Sequence, residues 1–376
     1  MNERKVHKDS LNKRFEIRIK KIINDIIIRG KYPEMIDEPK NILIPENCKK
    51  ILILRQDRIG DALVTIPFIK ILRNKLPDSI IDIILSDKNK GISPSLDPYI
   101  DNMHIYKKEI QSNLRLKKKL RWEHYDLVID PFDNVSTTST ILVQFSKAKN
   151  KLGIDKNNSR IYDFTVPLLD KNSYHIVDRI AQLLLPFGID PAKENRKMEY
   201  KLSEEEIREA QKAMGEKTKP VRMGVVLSGS TDAKFWGIRN NVKFINETAE
   251  LKDNIEFKLF STQDNEEKLE IIADKTPAEI APYVDSVHDY AGLLSTCDII
   301  LTPDTSAVHF AACFQIPAIV LYKVVPGHSG GAPWTPYGIP YRAVTTEKDT
   351  LKEIHYSSIV KEFLEFYGEL GLESKK

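Results

Sequence analysis

The sequence predicts an α/β protein of two halves, each built on a parallel sheet, that face each other across a cleft. At 376 residues the chain is longer than one typical core requires. Short apolar runs alternate with amphipathic segments both before and after residues 191–220. Residues 191–220 are highly charged themselves and are typical of a linker that carries a surface helix.

The first half, residues 49–190, opens with KKILILR, which predicts a buried strand. The turn QDRIGD follows, and then an amphipathic helix that ends near Pro77. The runs IIDIILSD and YDLVIDP predict further strands. Strand, helix and strand in this order indicate a right-handed parallel unit. Residues 1–48 precede the pattern and are assigned to an N-terminal extension.

The second half, residues 221–345, repeats the alternation from VRMGVVLSGS to PAIVLYK, and residues 346–376 predict a C-terminal helix. Ligands of open parallel sheets bind beyond the carboxyl ends of the strands. The loops at 55–61, 228–234 and 302–306 follow predicted strands, so we expect the functional residues there.

Positive charge is concentrated in two segments, although the net charge is only +3. Residues 1–30 contain nine Lys or Arg against four acids, together with an apolar stripe at helical spacing. Such a helix either lies on an anionic membrane surface or packs on the domain with a solvated basic face. Residues 107–121 contain seven Lys or Arg, including Lys117, Lys118 and Lys119. This cluster is either a solvated helix face or a surface that attracts phosphate groups.

Composition excludes several classes of protein. The three cysteines are widely spaced and lack metal-ligand spacing, so neither a disulfide framework nor a zinc site is expected. No apolar run reaches the roughly 18–20 residues of a membrane span, and the N-terminus lacks a signal-peptide core. The small net charge argues against nucleic acid as a partner. A cytoplasmic location is expected.

The stretch TPDTSAVHF places Asp304, Thr305 and Ser306 at the mouth of a predicted helix, with His309 about one turn inside. A helix N-terminus offers unpaired N–H groups to a phosphate, and the Asp304 carboxylate suits sugar hydroxyls or backbone N–H groups. The alternative is an ordinary capped helix with a core histidine.

Two other loops carry weaker signals. SGSTDAKFW follows a strand and places Lys234 near the next helix, but it matches neither the P-loop pattern nor GxGxxG. A P-loop ATPase and a nicotinamide dehydrogenase are therefore not supported. In RQDRIGD, Asp61 either stabilises the N-terminus of a helix or acts as a general base facing the cleft.

Together these stretches resemble glycosyltransferase family 9, the heptosyltransferases of lipopolysaccharide core assembly. The resemblance runs from about residue 49 to 345 and is carried by ILILRQDRIGDALVTIPFIKILRNKLPDSIIDII, YDLVIDP, SGSTDAKFWG, DTSAVHFAACFQIPAIVLY and APWTPYG. It implies a GT-B fold, that is, two Rossmann-like domains facing each other across a cleft, with the C-terminal helix returning to the first domain. Ser306 stands where the family usually has Gly.

The resemblance also implies roles for individual residues. Asp61 would be the base that deprotonates the acceptor hydroxyl, and Lys234 would neutralise the departing diphosphate. The donor site would comprise Ser230, Thr231, Asp264, Asp304, Thr305, Ser306 and His309. Lys117, Lys118 and Lys119 would lie on the acceptor or membrane side. The family implies no cofactor and no metal, and the sequence has no Asp-x-Asp motif.

The resulting hypothesis is an inverting transferase that moves a sugar from a nucleotide donor, such as ADP-heptose, to an anionic glycolipid or glycan of the lipopolysaccharide core. Such an enzyme would work in the cytoplasm, at the inner face of the inner membrane. The alternatives are a GT-B transferase with another nucleotide sugar and a capsule or protein acceptor, and a catalytically silent scaffold that binds nucleotide sugar. A silent copy would be expected to lack Asp61 or Lys234, and both are present.

Overall fold

The protein is described by a computed structural model that covers Lys21 and residues 31–227, 231–262, 265–324 and 331–374. The first domain holds a seven-stranded parallel sheet in the order β1-β7-β6-β5-β2-β3-β4. Its strands are β1 (Glu34–Met35), β2 (Lys50–Leu54), β3 (Ile80–Ser86), β4 (Asn102–Tyr106), β5 (Leu127–Asp130), β6 (Asn150–Ile154) and β7 (Phe164–Val166). Its helices are α1 (Ile59–Leu63), α2 (Ile66–Lys75), α3 (Ser93–Leu96), α4 (Ile110–Trp122), α5 (Thr137–Ser146) and α6 (Ile176–Ala181).

The second domain holds a six-stranded parallel sheet in the order β10-β9-β8-β11-β12-β13. Its strands are β8 (Val221–Val226), β9 (Ile255–Phe260), β10 (Glu279–Ile280), β11 (Ile299–Pro303), β12 (Ala318–Lys323) and β13 (Tyr341–Thr346). Its helices are α7 (Glu204–Met214), α8 (Ile238–Leu251), α9 (Glu266–Ala273), α10 (Val287–Ser295), α11 (Ser306–Phe314) and α12 (Tyr356–Glu369). No described helix is both long and apolar enough to cross a bilayer.

The strand order reverses beside β2 in the first sheet and beside β8 in the second. In the first sheet the chain moves from β2 to β3 and β4 on one side, and β5 pairs with the other side of β2. In the second sheet β9 and β11 flank β8 in the same way. Loops leave in opposite directions at such a point, and the crevice between them is the usual ligand site of a parallel α/β sheet.

The described part of the predicted N-terminal extension belongs to the first domain. Strand β1 pairs in parallel with β7, and Ile36, Leu43 and Cys48 are buried in the core. A strand of two residues is too short to show a sequence period, so the sequence pattern alone does not identify it. Apart from Lys21, the basic residues 1–30 lie outside the described part of the chain.

The C-terminal helix does not follow the expectation that it returns to the first domain. Helix α12 packs on α8 of the second domain, where the Phe363 and Phe244 rings meet edge to face with centroids 5.9 Å apart. The Tyr367 hydroxyl also donates a hydrogen bond of 2.9 Å to Asn254 Oδ1 in the second domain. The apolar stripe predicts the helix correctly, but a stripe does not specify which domain covers it.

The segment predicted as a linker contacts both domains. Lys70 of the first domain donates to Glu199 Oε2 at 2.6 Å. The next residue, Tyr200, packs its ring edge-on against Phe310 of the second domain, with centroids 5.3 Å apart. Helix α7 then packs on α10. The two domains therefore share a packed boundary, and the cleft lies beside it.

Candidate functional site

A cavity of about 790 Å³ lies between the domains, at the carboxyl ends of the central strands. The first domain contributes the loop after β2, helix α1 and the segment after β5. The second domain contributes Lys234, the segments after β9 and β10, and the start of α11. The volume is in the range of pockets that hold small ligands.

On the first-domain wall a buried arginine holds the candidate base in position. The Arg55 side chain is 2% exposed and its Nε donates to the main-chain carbonyl of Asp61 at 2.7 Å. Its NH2 group lies 3.5 Å from Asp61 Oδ1. The Thr65 hydroxyl donates to the same Asp61 carbonyl at 2.8 Å, so both the backbone and the carboxylate of Asp61 are fixed.

A second carboxylate, Asp57, shares this arginine. Its Oδ2 lies 3.4 Å from Arg55 NH1, while its buried Oδ1 has no hydrogen-bond partner among the described residues. Burial raises the pKa of Asp57 to about 7; the Arg55 charge opposes the rise and the nearby Asp61 adds to it. The first-domain wall thus presents two carboxylates on one guanidinium.

On the second-domain wall, Lys234 pairs with Asp304, which precedes helix α11. The Lys234 Nζ donates to Asp304 Oδ2 at 2.6 Å and to the Asp304 main-chain carbonyl at 2.7 Å. The short turn Asp232–Lys234 carries the lysine into the cavity after β8. The Lys234 side chain is 25% exposed, so its ammonium remains accessible from the cavity.

Helix α11 begins at the cavity with a capped N-terminus. The Thr305 hydroxyl accepts a hydrogen bond of 3.2 Å from the Ala307 amide, and Ser306 is the first helical residue. Both Thr305 and Ser306 line the cavity. One cap satisfies only one of the free amide groups of the first turn, so the positive end of the helix faces the cavity.

His309 joins the two walls of the cavity. A Cβ atom on Gly60 of helix α1 would lie only 2.6 Å from His309 Cδ2, so the imidazole rests directly on a glycine of the other domain. The Trp334 ring meets the imidazole edge to face at 6.0 Å between centroids. Burial lowers the pKa of His309 to about 4, although Asp304 opposes the shift. The ring is therefore neutral at pH 7.

The structure brings six of the predicted site residues together. Asp61, Lys234, Asp304, Thr305, Ser306 and His309 all line the one cavity. Thr231 is exposed and is not among the lining residues, and Lys117, Lys118 and Lys119 lie on α4, away from the cavity. Ser230 and Asp264 lie outside the described residues. No three His, Cys, Asp or Glu side chains are grouped as metal ligands within the described ranges.

Sequence reasoning did not assign a role to three parts of the site. These are the pair Arg55 and Asp57, then Asp133, and finally Trp334. Arg55 and Asp57 lie in the loop that leads to Asp61 of helix α1. The three charges Arg55, Asp57 and Arg58 directly after a buried strand were a usable signal. Asp133 follows β5, and its Oδ2 lies 3.0 Å from NH2 of the buried Arg179. No sequence pattern connects Asp133 with Arg179, because they meet only through the fold.

Comparisons with known proteins agree with this architecture. The family model Glycosyltransferase family 9 (heptosyltransferase) matches residues 113–363. The lipopolysaccharide core heptosyltransferase OpsX of Haemophilus influenzae is 24% identical over 292 residues, which is 74% of this chain and 80% of that protein.

Solved structures show the same fold. A glycosyl transferase family 9 structure from Veillonella parvula superposes with a TM-score of 0.71 at 17% identity, covering 85% of this chain and 97% of that one. The E. coli heptosyltransferase WaaC with ADP gives a TM-score of 0.67 at 17% identity, covering 85% and 98% of the two chains. The two parallel-sheet domains are thus a GT-B fold, and the chain belongs to glycosyltransferase family 9.

Proposed function

We propose that the protein transfers a sugar from a nucleoside diphosphate donor to a glycan acceptor in the cavity between its domains. The observation that carries the proposal is that Asp61 and Lys234 enter one cavity from opposite domains. Glycosyl transfer needs a base on the acceptor side and positive charge on the leaving-group side. The two walls of the cavity supply these two functions.

In the proposed reaction the Asp61 carboxylate accepts the proton of an acceptor hydroxyl. The freed oxygen forms a bond to the anomeric carbon while the bond between that carbon and the diphosphate breaks. The diphosphate leaves with the bonding electrons on the face opposite the attack, so the anomeric configuration inverts. Arg55 holds Asp61 in place through its contacts with the main-chain carbonyl and the carboxylate of that residue.

The departing diphosphate carries the charge that the second domain would stabilise. Lys234 would exchange its contact with Asp304 for a phosphate oxygen, and the N-terminal amides of α11 would complete the phosphate site. Preorganised donors of this kind are worth roughly 3–4 kcal/mol of activation barrier each. We include in the proposal that the reaction needs no metal, because the lysine and the helix end would serve in its place.

The family and the named relatives support a heptose donor and a lipopolysaccharide core acceptor. One relative is a lipopolysaccharide core heptosyltransferase. E. coli WaaC has been solved with ADP and also with ADP-2-deoxy-2-fluoro heptose. We therefore propose ADP-heptose as the donor and a lipopolysaccharide core sugar as the acceptor. Another nucleotide sugar with a capsule or protein acceptor, and a silent nucleotide-sugar scaffold, are the alternatives.

The experiment combines ligand-induced thermal stabilisation with a transfer assay. Purified full-length protein is heated with ADP, UDP, GDP and their sugar conjugates, and the best ligand is then tested for transfer to isolated core oligosaccharide with and without EDTA. A ligand at 100 times its Kd adds about 2.7 kcal/mol of stability. We expect the ADP series to stabilise most, and transfer to survive EDTA.

Each part of the proposal has its own contradicting outcome. Stabilisation by UDP-sugars alone would contradict ADP-heptose as the donor. Nucleotide-sugar binding without transfer to any acceptor would favour the catalytically silent scaffold. Loss of transfer on EDTA treatment, restored by a divalent cation, would remove metal independence. Absence of stabilisation by every nucleotide would overturn the proposed function.

A further inference from the structure

Helix α4 exposes two large apolar side chains to solvent. Leu114 is 60% and Trp122 is 68% exposed. Four cations accompany them on the same helix and are also exposed: Arg115, Lys118, Lys119 and Arg121. We call these six residues the α4 outer face. Exposed tryptophan next to lysine and arginine is unusual on a surface that contacts only water.

The six residues lie on one side of the helix. At about 100° per residue, Leu114, Lys118 and Trp122 are successive neighbours at spacing four. The opposite side carries Leu116 and Leu120, which are buried against the first-domain core. The first-domain core therefore covers the inner side of α4, whereas the α4 outer face is exposed in the described part of the chain.

Within the described ranges, no acid neutralises the charge of the α4 outer face. No carboxylate of the described residues forms an ion pair with any of its four cations. The acids at the two ends of the helix are engaged elsewhere: Glu109 accepts from the Ser112 hydroxyl at 3.2 Å, and Glu123 pairs with Lys50 at 2.5 Å. The helix itself contains no acid.

The neighbouring helix extends the apolar area. Phe145 of α5 is 46% exposed, and Lys117 Nζ lies 5.0 Å from the centroid of its ring. Lys117 is half-buried in this contact, and burial lowers the pKa of its ammonium. Of the three lysines that the sequence grouped together, only Lys118 and Lys119 are exposed to a partner.

We propose that the α4 outer face docks on an anionic lipid bilayer, with Trp122 and Leu114 entering the headgroup layer and the four cations facing lipid phosphates. An amphipathic helix with Lys or Arg around Trp and Leu is the pattern that binds in the plane of a membrane interface. Trp favours that interface because its ring is both apolar and polar. This docking goes beyond the proposed sugar transfer and does not depend on the identity of the donor.

Tryptophan emission of the full-length protein tests the docking directly. The chain has three tryptophans, and of these Trp236 is buried and Trp334 is partly buried. Phosphatidylcholine vesicles with and without phosphatidylglycerol are titrated into the protein. We expect a blue shift and protection from acrylamide only with the anionic vesicles, weakened by salt. The Trp122→Phe variant should lose the spectral change.

Vesicle sedimentation of charge variants completes the test. The pair Lys118→Glu with Lys119→Glu should weaken binding to anionic vesicles at least about tenfold. The matched control reverses Lys348 and Lys361, two exposed lysines of the second domain, and should leave binding unchanged. Because the substituted residues are exposed, we expect the variants to fold like wild type, and circular dichroism checks this.

Three outcomes would overturn the docking. The first is that the double variant Lys118→Glu, Lys119→Glu binds vesicles as tightly as wild type and that Trp122 emission does not change. This result would assign binding to another part of the chain. The second is equal binding to neutral and anionic vesicles. The third is binding to an oligonucleotide or an acidic protein with no effect of lipid, which makes the α4 outer face a site for a different partner.

Discussion

Both walls of the cavity hold an acid–base pair, but the cations of the two pairs differ in burial. Arg55 is 2% exposed and bonds the backbone of Asp61, whereas Lys234 is 25% exposed and faces the cavity. Separating a buried arginine from its acids leaves uncompensated charge, while a partly exposed lysine changes partner at little cost. The first pair therefore serves as a fixed support, and the second serves as a contact that the ligand replaces.

The largest expected effect comes from the base. Asp61→Asn should lower kcat by roughly 100- to 10,000-fold, the usual contribution of a general base. Thermal stabilisation by the nucleotide donor should survive, because Asp61 lies on the first-domain wall. The control is Asp57→Asn, which removes the other carboxylate on Arg55. A larger loss in the Asp57 variant than in the Asp61 variant would make Asp57 the base.

Replacing the lysine tests the exchangeable pair. Lys234→Ala should lower kcat by roughly 100- to 1,000-fold, because one preorganised donor to the leaving group is lost. In contrast to the Asp61 variant, it should also weaken stabilisation by nucleoside diphosphate. Lys234→Arg keeps the charge and should recover part of the rate. Unchanged turnover in Lys234→Ala would show that a group other than Lys234 stabilises the negative charge of the leaving diphosphate.

The support role of Arg55 is tested by stability. Arg55→Met should cost about 3 kcal/mol of unfolding free energy, because two acids lose a buried partner. Lys234→Met should cost less than about 1 kcal/mol, because that pair is partly solvated. Urea unfolding measures both losses of unfolding free energy, provided that the dependence of that free energy on urea concentration is the same in the variants and wild type. Equal costs for the two variants would remove the distinction between support and exchangeable contact.

The contact between the walls is tested at Gly60. Gly60→Ala places a Cβ atom 2.6 Å from His309 Cδ2, so either the buried imidazole or the contact between the two domains has to shift. We expect roughly a tenfold loss in kcat, since small displacements of reacting groups are costly. His309→Ala should partly rescue the Gly60 variant. The control is Gly368→Ala, where an added Cβ meets nothing within 4 Å.

Two buried histidines make the stability depend on pH. Burial lowers the pKa of His309 and of His175 from 6.5 to about 4. The unfolded chain therefore binds more protons between pH 6.5 and 4, and stability falls on acidification, by up to ~1.4 kcal/mol per pH unit for each histidine. His309→Gln should flatten this slope relative to wild type, and His355→Gln, which changes an exposed histidine, should not.

Asp57 acts in the opposite sense. Its folded pKa is raised to about 7 from 3.8, so the stability it contributes is present at low pH and is lost as the pH rises through 7. The difference between wild type and His309→Gln isolates the histidine from this opposing effect. An identical slope in the two proteins between pH 6.5 and 4 would contradict the lowered pKa of His309.

Much of the fold was predictable because its signals are local. The apolar runs that form β2 and β11 identify buried strands, and the small residues after Thr305 identify α11. The carboxyl ends of these strands then predicted the position of Asp61 and Asp304. The C-terminal helix was placed on the wrong domain, because amphipathicity does not identify the covering surface.

The rest of the site depends on distances that no local pattern encodes. Arg55 reaches both Asp57 and Asp61 only because the loop after β2 folds back onto α1. Asp133 and Arg179 lie far apart in the chain and meet because the fold places α6 beside the segment after β5. The exposure of Trp122 likewise follows from which side of α4 the sheet covers.

The seating of His309 on Gly60 links two positions that are distant in the chain but touch across the cleft. A Cβ atom at position 60 would crowd the imidazole, so a larger residue there favours a smaller side chain at position 309. Among related sequences the two positions should therefore covary, so that a family member with alanine or serine at the first carries a compact residue at the second. The residues at positions 60 and 309 together set how closely the two domains approach each other.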